Sequence, residues 1–324
     1  MNLFRKILGD LYSPFTKFIH EAWALIFPKW YVRYLYKKVL KKKLDLRNPK
    51  DFNEKIQWLK IYSDTSQWTT LADKYKVREY VTQCGLGDSL VKLYGVWERA
   101  EEIDFNKLPD SFVLKTNHGY GRVILVNDKS KLDISLTITQ LNKWVKEKYG
   151  LVTFEPHYWN IERRIIAEEL LQDNYNAEFS SSLIDYKFYC FNGEPDIVEL
   201  IYDRKIITVG SNVKRKDSNF KACAFDLDWN PLPEIYTEEC DHHIPTEIPK
   251  PGRLDKMLEI CKTLSLPFPS VRVDLYEVNN KVYFGEMTFT PGGGMNFFTP
   301  EYFLEMGDLI DLSTAKRRTK RPII

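Results

Sequence analysis

The sequence predicts an α+β chain, and three observations carry that prediction. Val271 to Gly294, VRVDLYEVNNKVYFGEMTFTPGGG, alternates apolar and polar residues on both sides of Asn279-Asn280, as two strands and a turn do. Ser111 to Val126, SFVLKTNHGYGRVILV, reads as strand, glycine loop and strand. Asn48 to Tyr62, Leu71 to Cys84 and Lys131 to Tyr149 carry apolar residues at helical spacing. At 324 residues the chain is long enough for two or three subdomains.

A net charge of +2 argues against nucleic acid as the main partner. The five cysteines, at 84, 190, 223, 240 and 261, form no CxxC pair, which argues against a zinc site and a disulfide framework and for a reducing compartment. No apolar run approaches the ~18 residues of a membrane span, and residues 1–10 lack a signal-peptide core. The expected location is cytoplasmic.

In chain order, residues 1–47 form a basic, aromatic helical segment that ends in Lys37-Lys38 and Lys41-Lys42-Lys43. Two readings fit it. One is an interfacial helix at the inner face of the cytoplasmic membrane. The other is a pair of helices packed on the protein's own core. Residues 48–110 are a helical region, with Pro49 at a helix start, one helix over Leu71 to Cys84 and a short strand over residues 90–97. Residues 111–170 form a first subdomain. Lys115 ends its entering strand beside the Asn117-His118-Gly119-Tyr120-Gly121 loop. A lysine there is placed to neutralise phosphate charge, and glycine lets N–H groups approach the oxygens, although a surface lysine on a plain hairpin reads the same way. Ile165 to Leu171 is a strand carrying Glu168 and Glu169, suited either to an adenine edge or to simple exposure.

Residues 171–312 form a second subdomain, and residues 313–324 a basic tail expected to be frayed and solvated. In Asp185 to Gly193, Lys187 is a second strand cation. His242-His243 lacks a third ligand at useful spacing and reads as a loop. In the last hairpin, Asp274 and Glu286 face each other only if the turn is odd in length or a bulge intervenes. Two facing carboxylates need a cation or a proton between them, and an all-oxygen site suits Mg²⁺. Arg272 shares their face and is placed to hold a phosphate oxygen. Pro291 to Gly294 is placed to offer N–H groups to anions. An amphipathic hairpin with a solvated polar face remains the plain alternative.

The order of these motifs resembles the ATP-grasp family, and DFNEKIQWLK, LADKYKVREYV, VLKTNHGYG, DYKFYCFNG, VRVDLY and FGEMTFTPGGG are most similar to its TupA-like branch, over about residues 50–312. The resemblance implies two α+β subdomains that clasp ATP. It implies that Lys115 binds the α/β-phosphates and that Asn117, His118, Gly119 and Gly121 belong to a loop over the triphosphate. Glu168, Glu169, Leu170 and Leu171 would form the adenine hinge, and Lys187 would be a further phosphate contact. Arg272 would hold the acyl-phosphate. Asp274 and Glu286 would be Mg²⁺ ligands, with Thr288 where the family carries asparagine, a weaker donor.

The implied activity is ATP-dependent carboxylate–amine ligation through an acyl-phosphate. The implied substrates are an amino acid or amine and a carboxylated sugar or glycan intermediate of a surface polysaccharide. A glycosyltransferase or phosphotransferase of polysaccharide assembly is the alternative. Asp226-Leu227-Asp228 is its one candidate signature, and it reads as a turn before Trp229.

Overall fold

Two antiparallel sheets organise the chain, each with its own apolar core. The computed structural model describes residues 14–172, 179–204, 220–237 and 248–318. In order they form α1 (Pro14–Ile26), α2 (Pro28–Leu40), α3 (Phe52–Tyr62), α4 (Ser66–Leu71), α5 (Val77–Gln83), β1 (Leu93–Trp97), β2 (Phe112–Thr116), β3 (Val123–Val126), α6 (Ile134–Val145), β4 (Ile165–Glu168), β5 (Asp185–Phe191), β6 (Glu194–Tyr202), β7 (Lys221–Phe225), α7 (Leu254–Ser265), β8 (Val271–Val278), β9 (Lys281–Thr288) and α8 (Pro300–Asp308).

The smaller sheet runs β1-β4-β2-β3. The period of two along β2 buries Phe112 and Leu114 and turns Lys115 to the other face. The buried residues meet Leu141 and Trp144 of α6, the inward positions that helical spacing predicts. The larger sheet runs β7-β6-β5-β8-β9. Val273 and Leu275 share a core with Met257, Ile260 and Leu264 of α7. On the opposite face Phe52 of α3 sets its ring against Tyr189 and Phe191. β5 is central and buried along its whole length, so every polar group on it needs a partner.

Four expectations are corrected. Pro49 does not start α3; Asp51 caps it, accepting the N–H of Glu54 at 2.8 Å. Leu71 to Cys84 is not one helix, because Asp73 accepts the N–H groups of Tyr75 (2.8 Å) and Lys76 (3.2 Å) and turns the chain between α4 and α5. The start of the basic tail is not frayed: Asp64 N–H donates to Lys316 O at 2.8 Å, Arg318 N–H donates to Tyr62 O at 2.9 Å, and the Arg317 guanidinium lies 5.1 Å from the Trp58 ring. The strand at Leu93–Trp97 pairs with β4, so the smaller sheet draws in chain from before residue 110.

At the N-terminus α2 is built into the larger core, burying Tyr31, Val32, Leu35, Tyr36 and Val39. The Tyr31 hydroxyl donates to Val152 O at 2.5 Å. His242-His243 lies outside the described residues.

Candidate active site

The β8–β9 turn is two residues long. Asn279 and Asn280 both adopt positive φ, 52° and 61°, which Asn tolerates better than most residues. A two-residue turn alone would place Asp274 and Glu286 on opposite faces. Instead the register slips by one at Gly285, so Leu275 pairs with Phe284 and Asp274 pairs with Glu286. A Cβ at Gly285 would lie 2.9 Å from Asp274 O and from the Tyr276 ring, which explains the glycine.

The pairing continues across the sheet as one row, Glu199, Lys187, Asp274 and Glu286, on neighbouring strands. Arg272 and Thr288 pair in the adjoining row. Asp274 is 1% exposed. It accepts two bonds from Arg272, at 2.7 and 2.8 Å, and one from Lys187. Arg272 also donates to Thr288 Oγ1 at 3.2 Å and lies 3.7 Å from Glu286. Burial opposes charge on Lys187, but Asp185 and Asp274 hold its pKa above the ordinary value. Burial likewise opposes ionisation of Glu286, and Lys74, Lys187 and Arg272 outweigh it, pulling the carboxyl far below the usual range.

Lys74 is the residue that sequence reasoning missed. Its ammonium pairs with Glu286 at 3.0 Å and donates to Gly119 O at 2.8 Å, joining the last hairpin to the glycine loop. The expected continuous helix hid it. The signal was present in L-A-D-K-Y-K, because an Asp in mid-run competes for backbone N–H groups. Arg204 makes a second link, pairing with Asp185 and donating to the Tyr120 hydroxyl at 3.0 Å.

In the loop, Asn117 and His118 turn inward. Asn117 donates to Glu162 O (2.9 Å) and accepts Arg164 N–H (2.7 Å), latching β2 to the start of β4. His118 Nε2 lies 3.1 Å from Glu147 O, and burial, with Arg163, Lys74 and Arg122 nearby, lowers its pKa to about 4. These two side chains bind protein. Gly119 and Gly121 hold positive φ, 74° and 81°, and a Cβ at Gly119 would lie 2.8 Å from the Tyr149 ring. Lys115 pairs with Glu168 at 2.5 Å, and Arg78 approaches the same carboxylate at 3.4 Å. Beyond β4, Glu169 is exposed, Leu170 and Leu171 are half-buried, and Glu169 N–H donates to Lys92 O at 2.9 Å.

The Pro291 to Gly294 turn is used differently from the expectation. Gly293 N–H is spent on Thr290 O at 2.8 Å. Its carbonyl accepts from Lys60 (2.8 Å) and from Gln57 (3.1 Å), and Gly294 O accepts from Gln57 (2.8 Å). Lys60 is wholly buried, which brings its pKa down to about 8 against the pull of Glu155.

Against models of known families, residues 54–311 match the TupA-like ATP-grasp family. The chain belongs to that family. Membership places it among the ATP-grasp ligases. No curated protein matches the chain. Among solved structures, a D-alanine–D-alanine ligase from Bacillus anthracis aligns at 14% identity over 81% of this chain and 72% of its own, with a TM-score of 0.45. The VanG D-Ala:D-Ser ligase of Enterococcus faecalis aligns at 14% identity over 77% and 63%, with a TM-score of 0.41. The phosphoribosylamine–glycine ligase of Thermotoga maritima aligns at 14% over 68% and 49%, with a TM-score of 0.38.

A TupA-like ATP-grasp enzyme brings Mg²⁺ into question. Among the described residues no group of three or more His, Cys, Asp or Glu is placed to hold a metal. Asp274, Glu286 and the Thr288 hydroxyl nonetheless make an all-oxygen set on paired strands, and Mg²⁺ takes one or two carboxylates with phosphate and water for the rest. The set fits. Glu286 is the more accessible of the two carboxylates, with 28% of its side chain exposed against 2% for Asp274.

Proposed function

We propose that this protein couples ATP hydrolysis to amide formation between a carboxylated sugar or glycan intermediate and an amino acid or amine. The observation that supports it is the paired row Lys187-Asp274-Glu286, with Arg272 and Lys74 converging on it. Phosphoryl and acyl transfer need charge neutralised and reactants aligned, and need neither a serine triad nor a reactive thiol.

In this reading the acceptor carboxylate attacks the γ-phosphorus, ADP leaves, and the amine displaces phosphate from the acyl carbon. Lys115 and Lys74 hold triphosphate oxygens once a ligand competes for Glu168 and Glu286. Arg272, fixed by two bonds to Asp274, holds the acyl-phosphate oxygen. Asp274, Glu286 and Thr288 would hold Mg²⁺, which offsets phosphate charge when bound. The transferase alternative loses its signature, because Asp226 spends its carboxylate on Asn230, at 2.7 Å to both the backbone and the side-chain nitrogen.

The test is ADP and phosphate release with ATP, Mg²⁺ and a panel of uronic acids and amino acids. Release that requires both co-substrates supports the ligase. ADP with a phosphorylated product, or no turnover with any pair, overturns it.

A further inference from the structure

The inner face of α1 and the inner face of α2 follow the rules of a protein interior. Ala24 and His20 are buried, and the Trp23 ring lies tilted against Tyr34, with ring centroids 4.8 Å apart. On α2 the buried residues Tyr31, Val32, Leu35, Tyr36 and Val39 lie on one side.

The outer faces do not follow them. Phe18, Ile19, Leu25 and Ile26 fall within about a third of a turn of one another at 3.6 residues per turn, with Ala22 between them. Every one of those five is apolar. Phe18 is 69% exposed and Ile26 58%. At the bend Phe27 is 56% exposed, and on α2 Trp30 is 70% exposed. Along α2 the outward stripe runs Trp30, Lys37 and, at the cap, Lys41, opposite the buried one, and Tyr34 between them packs against His20 and Trp23 of α1. A helix in water presents polar residues outward. This pair presents exposed aromatic and aliphatic side chains from Phe18 to Trp30, followed by exposed lysines at the end of α2.

Charge says what the surface meets. Residues 14–43 hold eight Lys/Arg and one Glu, a net of +7. Removing those eight from 47 basic and that one from 45 acidic residues leaves the rest of the chain at −5. The positive charge is gathered on the apolar hairpin, where it complements an anionic surface and would repel a second copy of itself. No described helix is long and apolar enough to cross a membrane.

We propose that the outward face of α1 and α2 seats the protein on an anionic lipid bilayer. Phe18, Ile19, Ile26, Phe27 and Trp30 enter the headgroup region, while Lys37 and Lys41 to Lys43 face lipid phosphate. The two readings of the N-terminal segment then hold for opposite sides of one element: α2 is core on one face and interface on the other. The proposal is independent of the reaction catalysed.

Removing residues 1–47 is a poor test, because it strips Tyr31, Leu35 and Tyr36 from the core. Substitution of exposed residues is clean. The full chain should sediment with phosphatidylglycerol-containing vesicles at low salt and not with pure phosphatidylcholine. A Phe18→Ser, Ile26→Ser, Trp30→Ser variant should keep its melting temperature and lose vesicle binding. A Lys37→Glu, Lys41→Glu variant should bind at least about tenfold more weakly, and high salt should reproduce its defect. Three outcomes overturn the proposal. One is no binding by the wild type, and another is equal binding by the serine variant. The third is a wild-type dimer that the serine variant dissolves without any vesicle binding, which makes the face a self-interface.

Discussion

The β8–β9 hairpin carries its functional residues as charges on strands, with a two-residue turn and one bulge. The β2–β3 hairpin carries Lys115 on a strand but its other candidate residues in the loop, where the neutral side chains of Asn117 and His118 turn into the protein. Asp274 is held by Arg272 and Lys187, whereas Asn117 and His118 are held by backbone carbonyls and N–H groups. The lesson is that a strand residue can be both buried and functional when its partners sit on the next strand. A loop must first spend side chains on its own shape. Lys74 touches both hairpins, so it is where the two strategies meet.

Four experiments bear on that difference, ordered by the expected change in stability. Asp274→Asn removes the partner of two buried cations, and should cost about 3–5 kcal/mol together with all turnover. Urea unfolding within about 1 kcal/mol of wild type would show that the row is solvated. His118 comes second. Its folded-state pKa of about 4 lies below the unfolded value of 6.5, so the unfolded chain takes up the proton first and stability falls as pH drops through that window. Between pH 7 and 4 the wild type should lose about 3 kcal/mol more than His118→Asn. Parallel pH profiles would mean the imidazole is not confined. The comparison with His118→Asn cancels the carboxylates common to both proteins, among them Glu199 and Asp73, which burial pushes upward.

The third experiment addresses the loop latch. Asn117→Ala leaves Glu162 O and Arg164 N–H unmet and should cost about 1–3 kcal/mol, while chemistry with saturating substrates is retained. If ATP affinity alone changes, with no loss of stability, Asn117 is a ligand and the contrast between the hairpins fails. The smallest stability effect is expected from Glu286→Gln, within about 1 kcal/mol, since Glu286 is partly exposed and Lys74 keeps Gly119 O. Turnover should nevertheless vanish. Asp274 and Glu286 thus separate as a carboxylate that supports the fold and the site and one that supports the site alone.

How much of this was legible follows the same division. Alternation in β2, β5, β8 and β9 is a local signal, and the strands lie where it puts them. The facing of Asp274 and Glu286 demanded a bulge, and Gly285 supplies it. The inward turn of Asn117 and His118 depends on Glu162, Arg164 and Glu147, partners about 29–47 residues away that no local pattern reveals. Lys74 was hidden by a helical period that one aspartate interrupts. The docked tail depends on Tyr62, Asp64 and Trp58, more than 250 positions earlier in the chain. Its lysine and arginine content gave no hint of them.

The two cores also differ in how they are drawn from the chain. Residues 93–168 supply the smaller sheet, and its core is drawn from residues 100–167. The larger core joins residues 24–86 to 184–315, with Val152 and Phe154 added. During synthesis the smaller lobe is complete once its last strand emerges. The larger one leaves Tyr31, Leu35, Phe52 and Ile56 uncovered until β5 to β9 and α8 arrive. The strap at 316–318 closes it last, against α3. Biogenesis therefore leaves the core faces of α2 and α3 uncovered until residues 184–315 have been made, and residues 316–318 are the last of the described chain to dock on them.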